Sequence, residues 1–351
     1  MKKFITCLLA ALGLTSACGQ QHFENTDVEG FSNLIDSTDV ILLDVRTVEE
    51  FAEAHICGAL NIDQRQPDFL SKAKALLPAG KTIAVYCRSG RRSASAAERL
   101  TAEGYKCVNL KGGILAWQQQ QKPVTTDTFE IDVFLTPGGK TVKLYALCHA
   151  SIRIDYDGKA FFIDPVTKLG DKVIDYSPMP KADYLFVTHE HFDHFDRDAI
   201  AALSHQHTCL VTNSRCATML GKGEIMSNGD VLAIAGDITL EAVPAYNTTE
   251  QHLQFHPKGR DNGFVLTFDG LRIYIASDTE DIPEMAALHN IDIAFMPCNQ
   301  PYTMTVNQLL NAARTVKPKV LFPYHFGQTD VTTIPALLEA DGIEVRLRHY
   351  E

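Results

Sequence analysis

Two stretches of the sequence hold side chains whose types and spacing could do chemistry. The first is Thr188-His189-Glu190-His191-Phe192-Asp193-His194. Four ligand-type residues, His189, His191, Asp193 and His194, fall within six positions, a density that packing does not explain. Neutral imidazole and carboxylate suit a divalent metal, zinc first, with manganese or iron as alternatives. His189 and His191 have i,i+2 spacing at the end of an apolar run, so both can reach one ion. Asp193 and His194 then turn toward a neighbouring site. Asp278 and His325, each following another apolar run, are further candidate ligands. A carboxylate placed between two ions can bridge them. Two ions would lower the pKa of a shared water and polarise a substrate oxygen. The expected chemistry is hydrolysis by metal-bound hydroxide at an ester-like carbonyl or phosphorus, with Asp193 or Asp278 orienting the water.

The second stretch is Tyr86-Cys87-Arg88-Ser89-Gly90-Arg91-Arg92-Ser93, between a strand-like run and a helix-like one. The amides of such a loop point inward, and the helix N-terminus adds a positive end. Arg88, Arg91 and Arg92 add cationic charge, and together these favour the Cys87 thiolate. The cradle from Arg88 through Ser89, Gly90, Arg91 and Arg92 to Ser93 would hold an oxyanion such as the sulfonate end of thiosulfate. Cys87 would then attack the outer sulfur and carry it as a persulfide. A Cys-x-x-x-x-x-Arg phosphatase loop is superficially similar, but Ser93 stands where its final Arg would be. A cysteine module used only for binding or redox sensing is the plainer alternative.

Elements must position these groups. With 351 residues the chain exceeds what one ordinary core needs, which predicts two domains. Val40–Val45, Thr82–Tyr86 and Lys106–Leu110 read as buried strands, with a helix over Ser93–Glu103. The alternation implies an α/β unit, a parallel sheet with flanking helices, over 23–122. A polar, Pro-containing linker follows, from Gln118 through Pro123 to Thr128. From 128 to 351 many strands with interspersed helices predict a two-sheet, four-layer αββα body. Its strands are expected at 142–147, 152–156, 160–163, 184–187, 238–243, 264–268, 272–276, 291–295 and 320–322. Helices are expected at 197–203 and 305–316.

The formal net charge of −11 and the lack of a long basic run argue against nucleic acid as a partner. Lys2 and Lys3, an apolar run to Leu14 and the small residues Thr15-Ser16-Ala17-Cys18 have the parts of a secretory signal over 1–18. Without Cys7 and Cys18 seven cysteines remain, scattered and without a Cys-x-x-Cys pair, so no disulfide scaffold is expected.

Three resemblances sharpen these expectations. The leader resembles a bacterial lipoprotein signal with Cys18 as the acylated residue, although Leu14 lies four residues before the cysteine instead of three. That implies export and an envelope protein touching the membrane only through an N-terminal lipid anchor. Residues 27–121 resemble the rhodanese family, through Leu43-Asp44-Val45-Arg46, Glu49-Glu50-Phe51, His55-Ile56-Cys57-Gly58-Ala59, the Cys87–Ser93 loop and Leu110-Lys111-Gly112-Gly113 to Trp117. Cys57 replaces the usual Pro. The resemblance implies sulfurtransferase chemistry at Cys87 with a sulfur donor such as thiosulfate. Asp44 and Arg46 are expected to be structural and Trp117 to be core.

Residues 142–349 resemble the metallo-β-lactamase superfamily, most of all the branch with ascorbate-phosphate lactonase and N-acyl-phosphatidylethanolamine phospholipase relatives. Cys148-His149-Ala150-Ser151, Ile163-Asp164-Pro165, Val243-Pro244-Ala245-Tyr246-Asn247, Ser277-Asp278-Thr279 and Pro323-Tyr324-His325 carry it beside the 189–194 run. It implies one or two ions and a small-molecule substrate. The first ion would take His189 and His191, the second Asp193, His194 and His325, with Asp278 shared. The family's other histidine falls near Asn247, a weaker ligand, and His256 or His252 could reach in instead. Ser277 replaces the usual Gly. His149 is either a cleft residue behind the ligands or a satisfied core histidine, Tyr302 either an oxyanion donor or a packing residue, and His205 and His207 surface groups. A rhodanese unit fused to this superfamily also resembles persulfide dioxygenases. A non-catalytic sulfur-relay or sensor protein is the third class.

Overall fold

The computed structural model describes residues 23–126 and 128–350; the expected leader, with Cys18, lies outside them. The first unit is a five-stranded parallel sheet in the order Glu24–Thr26, Lys106–Leu110, Thr82–Tyr86, Val40–Asp44, Leu60–Asn61. Val40–Asp44 is buried at every position, as a strand covered on both faces must be, which is why it reads as an unbroken apolar run. Helices Val28–Ile35, Phe69–Leu76, Arg91–Ala102 and Gly113–Gln119 cover the sheet. The helix Arg91–Ala102 begins two residues before its apolar pattern does. Gly90 turns the chain at φ +88°, and the first-turn arginines carry no apolar signal.

The stretch expected as a loose linker is partly built into the fold. Gln118 and Gln119 finish a helix, Trp117 Nε1 donates to the Pro123 carbonyl at 2.8 Å, and His55 and Thr125 exchange backbone bonds of 2.8 Å. These bonds use backbone groups or the core residue Trp117, so the polar composition of the stretch conceals them.

Two seven-stranded sheets follow. One runs Glu224–Ile225, Cys209–Thr212, Tyr184–Val187, Lys159–Ile163, Ser151–Tyr156, Thr141–Cys148, Glu130–Leu135. The other runs Val231–Ala235, Ile238–Ala245, Asp261–Phe268, Leu271–Ile275, Ile293–Pro297, Val320–Tyr324, Glu344–Val345. Their facing sides share one core that includes Phe161, Phe186, Phe264, Phe295 and Phe322. Helices Arg197–Leu203 and Ser214–Leu220 pack outside the first sheet, and Val306–Val316 and Ile334–Leu338 outside the second. This is the four-layer αββα sandwich expected. Thr305 and Gln308 close a capping box on Val306–Val316, which sets where that helix starts.

The register explains why one edge of the sandwich gathers polar residues. Lys159–Ile163 pairs in parallel with Tyr184–Val187, so Asp164 and Thr188 emerge side by side. Leu271–Ile275, Ile293–Pro297 and Val320–Tyr324 are likewise parallel, which brings the segments after their carboxyl ends, with Asp278 and His325, to the same edge. Among the described residues no helix is long and apolar enough to cross a membrane.

Candidate metal centre

Most ligand-type residues at that edge follow a strand directly: His149 after Thr141–Cys148, His189 to His194 after Tyr184–Val187, Asp278 after Leu271–Ile275, His325 after Val320–Tyr324; His256 comes from the loop between Ile238–Ala245 and Asp261–Phe268. Four buried residues here, His149, Asp164, Ser277 and His325, hold φ between +42° and +59°. Such backbone costs of order 1–3 kcal/mol per residue and is kept only where the surroundings over-determine it. The Ser277 φ of +59° supplies the reason a glycine is usual there.

The side chains form two groups. His189, His191, His256 and Asp278 offer ligand atoms within 4.8 Å of one another, and His149, Asp193, His194 and His325 do the same. Asp278 lies between the groups. Its Oδ1 is 3.2 Å from His194 Nε2, and its Oδ2 is 3.3 Å from both His256 Nε2 and His325 Nε2. His189 Nε2 and His191 Nδ1 are 3.1 Å apart, aimed at one point. Asp193 Oδ2 meets His149 Nε2 at 3.2 Å and His325 Nε2 at 3.6 Å.

A ring of carboxylates and one hydroxyl orients the imidazoles from behind. His194 Nδ1 donates to Asp164 Oδ2 at 2.8 Å, and His256 Nδ1 to Asp261 Oδ2 at 3.1 Å. His189 Nδ1 donates to Thr188 Oγ1, which in turn donates to Asp164 Oδ2. With the outer nitrogen carrying the proton, each inner Nε2 keeps its lone pair for a cation. The inner atoms fit one. Nε2 of His194, His256 and His325 and Oδ1 of Asp278 are buried without a hydrogen-bond partner, a cost proteins rarely carry without an ion, a water or a catalytic role to meet it, and this donor set suits an ion.

Burial opposes charge on His194, His256 and His325, yet the facing carboxylates raise the pKa of all three, so positive charge is favoured where their Nε2 atoms meet. Burial works against the Asp278 charge, yet the fields of His325 and His194 hold its carboxyl well below the usual range. Burial likewise opposes the Asp193 charge, and His194, His149 and His325 overcome it. Burial pushes the His189 imidazole well below its ordinary value, which keeps it neutral.

Of the residues singled out from the sequence, the structure brings together His189, His191, Asp193, His194, Asp278 and His325, and adds two. The His256 imidazole stands in the slot assigned to Asn247, and His149 belongs to the second group instead of sitting behind it. Asn247 does other work: its Nδ2 donates to the carbonyls of Tyr302, at 2.9 Å, and His252, at 3.3 Å. His252 turns to Glu280 at 3.3 Å. Tyr302 is exposed, and its ring meets Phe255 edge-on with centroids 5.0 Å apart. His205 and His207 are exposed. Sequence spacing carried no signal for the orienting roles of Asp164 and Asp261, because those residues touch the histidines only through the fold.

In the first unit Cys87 is buried at the carboxyl end of Thr82–Tyr86. Gly90 N donates to its sulfur at 3.2 Å and Ser93 Oγ at 3.4 Å. Arg88, Ser89 and Arg91 are exposed around it. Arg92 differs from the expected all-cationic cradle: its guanidinium makes a bidentate pair with Glu50 at 2.6 and 2.7 Å. Gly113 is required by close approach, since a Cβ there would lie 2.3 Å from the Cys87 carbonyl oxygen. Asp44 and Arg46 form a buried pair at 2.6 Å, and Trp117 is core.

Comparison with known proteins agrees with both halves. Residues 27–120 match the Rhodanese-like domain family, and residues 143–325 match the Beta-lactamase superfamily domain. Over 186 residues the chain is 31% identical to a UPF0173 metal-dependent hydrolase of Ligilactobacillus salivarius, covering 51% of this chain and 82% of that protein. It is 27% identical over 181 residues to one from Archaeoglobus fulgidus, covering 48% and 78%. A solved structure from Parabacteroides distasonis, provisionally named a metal-dependent hydrolase, is 47% identical with a TM-score of 0.62 and covers 64% of this chain and all of that one. A sandwich whose converging strand ends carry the histidines and aspartates, preceded by a cysteine-loop α/β unit, thus belongs to the beta-lactamase superfamily in its metallo-β-lactamase form and carries a rhodanese-like domain.

Proposed function

We propose that this protein is a metal-dependent hydrolase of small ester, lactone or phosphodiester substrates, joined to a sulfurtransferase unit. One observation carries the first part: two four-residue His/Asp groups converge on Asp278, with unpartnered nitrogens turned inward. His189, His191, His256 and Asp278 would hold one divalent ion, and His149, Asp193, His194 and His325 a second. Such ions, zinc in our reading, supply Lewis acidity and an acidic water. The chain's own residues do the rest. Asp278, a member of the first group, also comes within 3.2 Å of His194 and 3.3 Å of His325 in the second. Asp193, partly exposed and hydrogen-bonded to His149, faces the side from which substrate and water arrive, so its carboxylate is placed to orient the attacking water and take its proton. The resemblance to the ascorbate-phosphate lactonase branch supports a lactone or phosphate-bearing substrate.

Chelator-sensitive turnover of a lactone, ester and phosphodiester panel is the test. Activity is expected to fall about a thousandfold in D278N, several kcal/mol of lost electrostatic stabilisation. No turnover with zinc, manganese or iron would remove this reading. Oxygen uptake by the ferrous protein with glutathione persulfide would favour the sulfur-oxidising alternative instead.

For the first unit the proposed step is attack of the Cys87 thiolate on the outer sulfur of thiosulfate. The S–S bond breaks, sulfite leaves with the bonding pair, and the Cys87 persulfide passes its outer sulfur to an acceptor nucleophile such as cyanide. The Gly90 amide and Ser93 hydroxyl support it by donating to the sulfur. C87A is expected to abolish thiocyanate formation; unchanged formation would refute the assignment. Export with a lipid on Cys18 is part of the same proposal, and labelling with a radioactive fatty acid that C18A eliminates is its test.

A further inference from the structure

Resting on the hydrolase reading, we propose that the mouth of the metal centre selects substrates with an apolar arm of several carbons beside the scissile bond. The centre opens in one direction. In each four-residue group three members are buried and one is partly exposed, His191 in the first and Asp193 in the second. Both lie on the same three-residue turn, so a substrate must arrive past it. The residue between them is Phe192, whose side chain is 79% exposed, the largest value among the large apolar residues described. A phenyl ring held in water at the entrance of a polar centre has no packing role. Its contact is with whatever enters.

The opposite rim repeats the chemistry. The His191 and His256 rings are 4.8 Å apart, so the segment ahead of His256 faces the Phe192 turn. That segment presents Leu253, which is exposed, and Phe255, whose ring meets Tyr302 at 5.0 Å. The rim is braced in advance. Asn247 ties the Tyr302 and His252 carbonyls, and buried Glu280 accepts from the backbone amides of Thr248 and Thr249 at 2.8 and 2.7 Å. The segment leading to His256 and the Tyr302 backbone are therefore held in place, and an alkyl or aryl group leaving water against Leu253, Phe255 and Tyr302 gains burial without ordering that rim. A short polar substrate would leave Phe192, Leu253 and Tyr302 in water.

Two readouts on the zinc-reconstituted full-length protein separate this proposal from the hydrolase reading. The first is turnover of p-nitrophenyl acetate, butyrate and octanoate, a constant leaving group with a growing acyl arm. For a half-buried chain kcat/KM is expected to rise roughly twofold per added methylene. In F192S and Y302S the octanoate-to-acetate ratio is expected to fall about fivefold, chiefly through KM. The second is calorimetric binding of acetohydroxamate against octanohydroxamate, which needs a metal anchor but no turnover. With the same six added methylenes, octanohydroxamate is expected to bind roughly sixtyfold tighter, and F192S to cut that advantage about fivefold. Equal affinities, or a ratio unmoved by F192S and Y302S, overturn the proposal even if esters are hydrolysed. Chain-length-dependent binding without ester turnover supports the apolar rim and counts against hydrolysis instead.

Discussion

Ser277 is buried, holds φ +59°, and its hydroxyl has no hydrogen-bond partner. Glycine carries neither burden, so S277G is expected to raise the stability of the metal-free protein by about 1 kcal/mol, read from the urea midpoint. A loss of stability would show that the Cβ packs more than the backbone strains. At this scale the sequence was most legible where ligands cluster in one turn. His189, His191, Asp193 and His194 stand out because four such side chains share six positions. His149 and His256 were ambiguous for the converse reason: each is a lone histidine in an ordinary stretch, and only the neighbours supplied by other strands turn it into a ligand. The choice between Asn247, His252 and His256 stayed open in the sequence because position along the chain is a poor guide where a loop doubles back, as this one does with Asn247 N donating to the His256 carbonyl.

Among the elements, the helix Val48–Glu53 and the segment after it carry a pH-sensitive group. The His55 ring stacks on Phe51 with centroids 3.6 Å apart, and its Nδ1 donates to the Phe51 carbonyl at 3.0 Å. Burial lowers its pKa from 6.5 to about 4. The folded value is depressed, so the unfolded chain binds the proton more readily. The associated stability is complete above about pH 6.5 and is lost as pH falls through 4. Trp117, the single tryptophan, lies in the same core and reports on it. Unfolding followed by its fluorescence is expected to show stability falling between pH 6.5 and 4, and H55F is expected to flatten that slope. An equal slope in H55F would place the acid sensitivity elsewhere. Buried strands of this unit were legible because they are covered on both faces and read as apolar runs. The linker was not, because Thr125 and Pro123 hold their places through backbone carbonyls and an amide that any residue type could supply.

For the whole molecule, binding free energy at the metal centre becomes folding free energy, since no unfolded chain assembles His149, His189, Asp278 and His325 together. Removing metal with a chelator is expected to lower the melting temperature of the sandwich by roughly 5–10 °C, as ligand binding worth a few kcal/mol does in a unit of this size. Zinc should restore it, and D278N should show a smaller response. A melting temperature indifferent to chelator and metal would count against ion binding. The sequence alone determined the local facts: two units, the parallel sheet, the four-layer sandwich, the cysteine loop and the dense ligand turn. These rest on periodicity, burial and short spacing, which act between neighbours along the chain. Tertiary structure decided which histidine completes each group, that Asp278 stands between them, that Arg92 pairs with Glu50, and that Phe192 is left exposed between His191 and Asp193. Those outcomes depend on parallel strands from both sheets ending at one edge, and distance in space between such strand ends is independent of their separation in sequence.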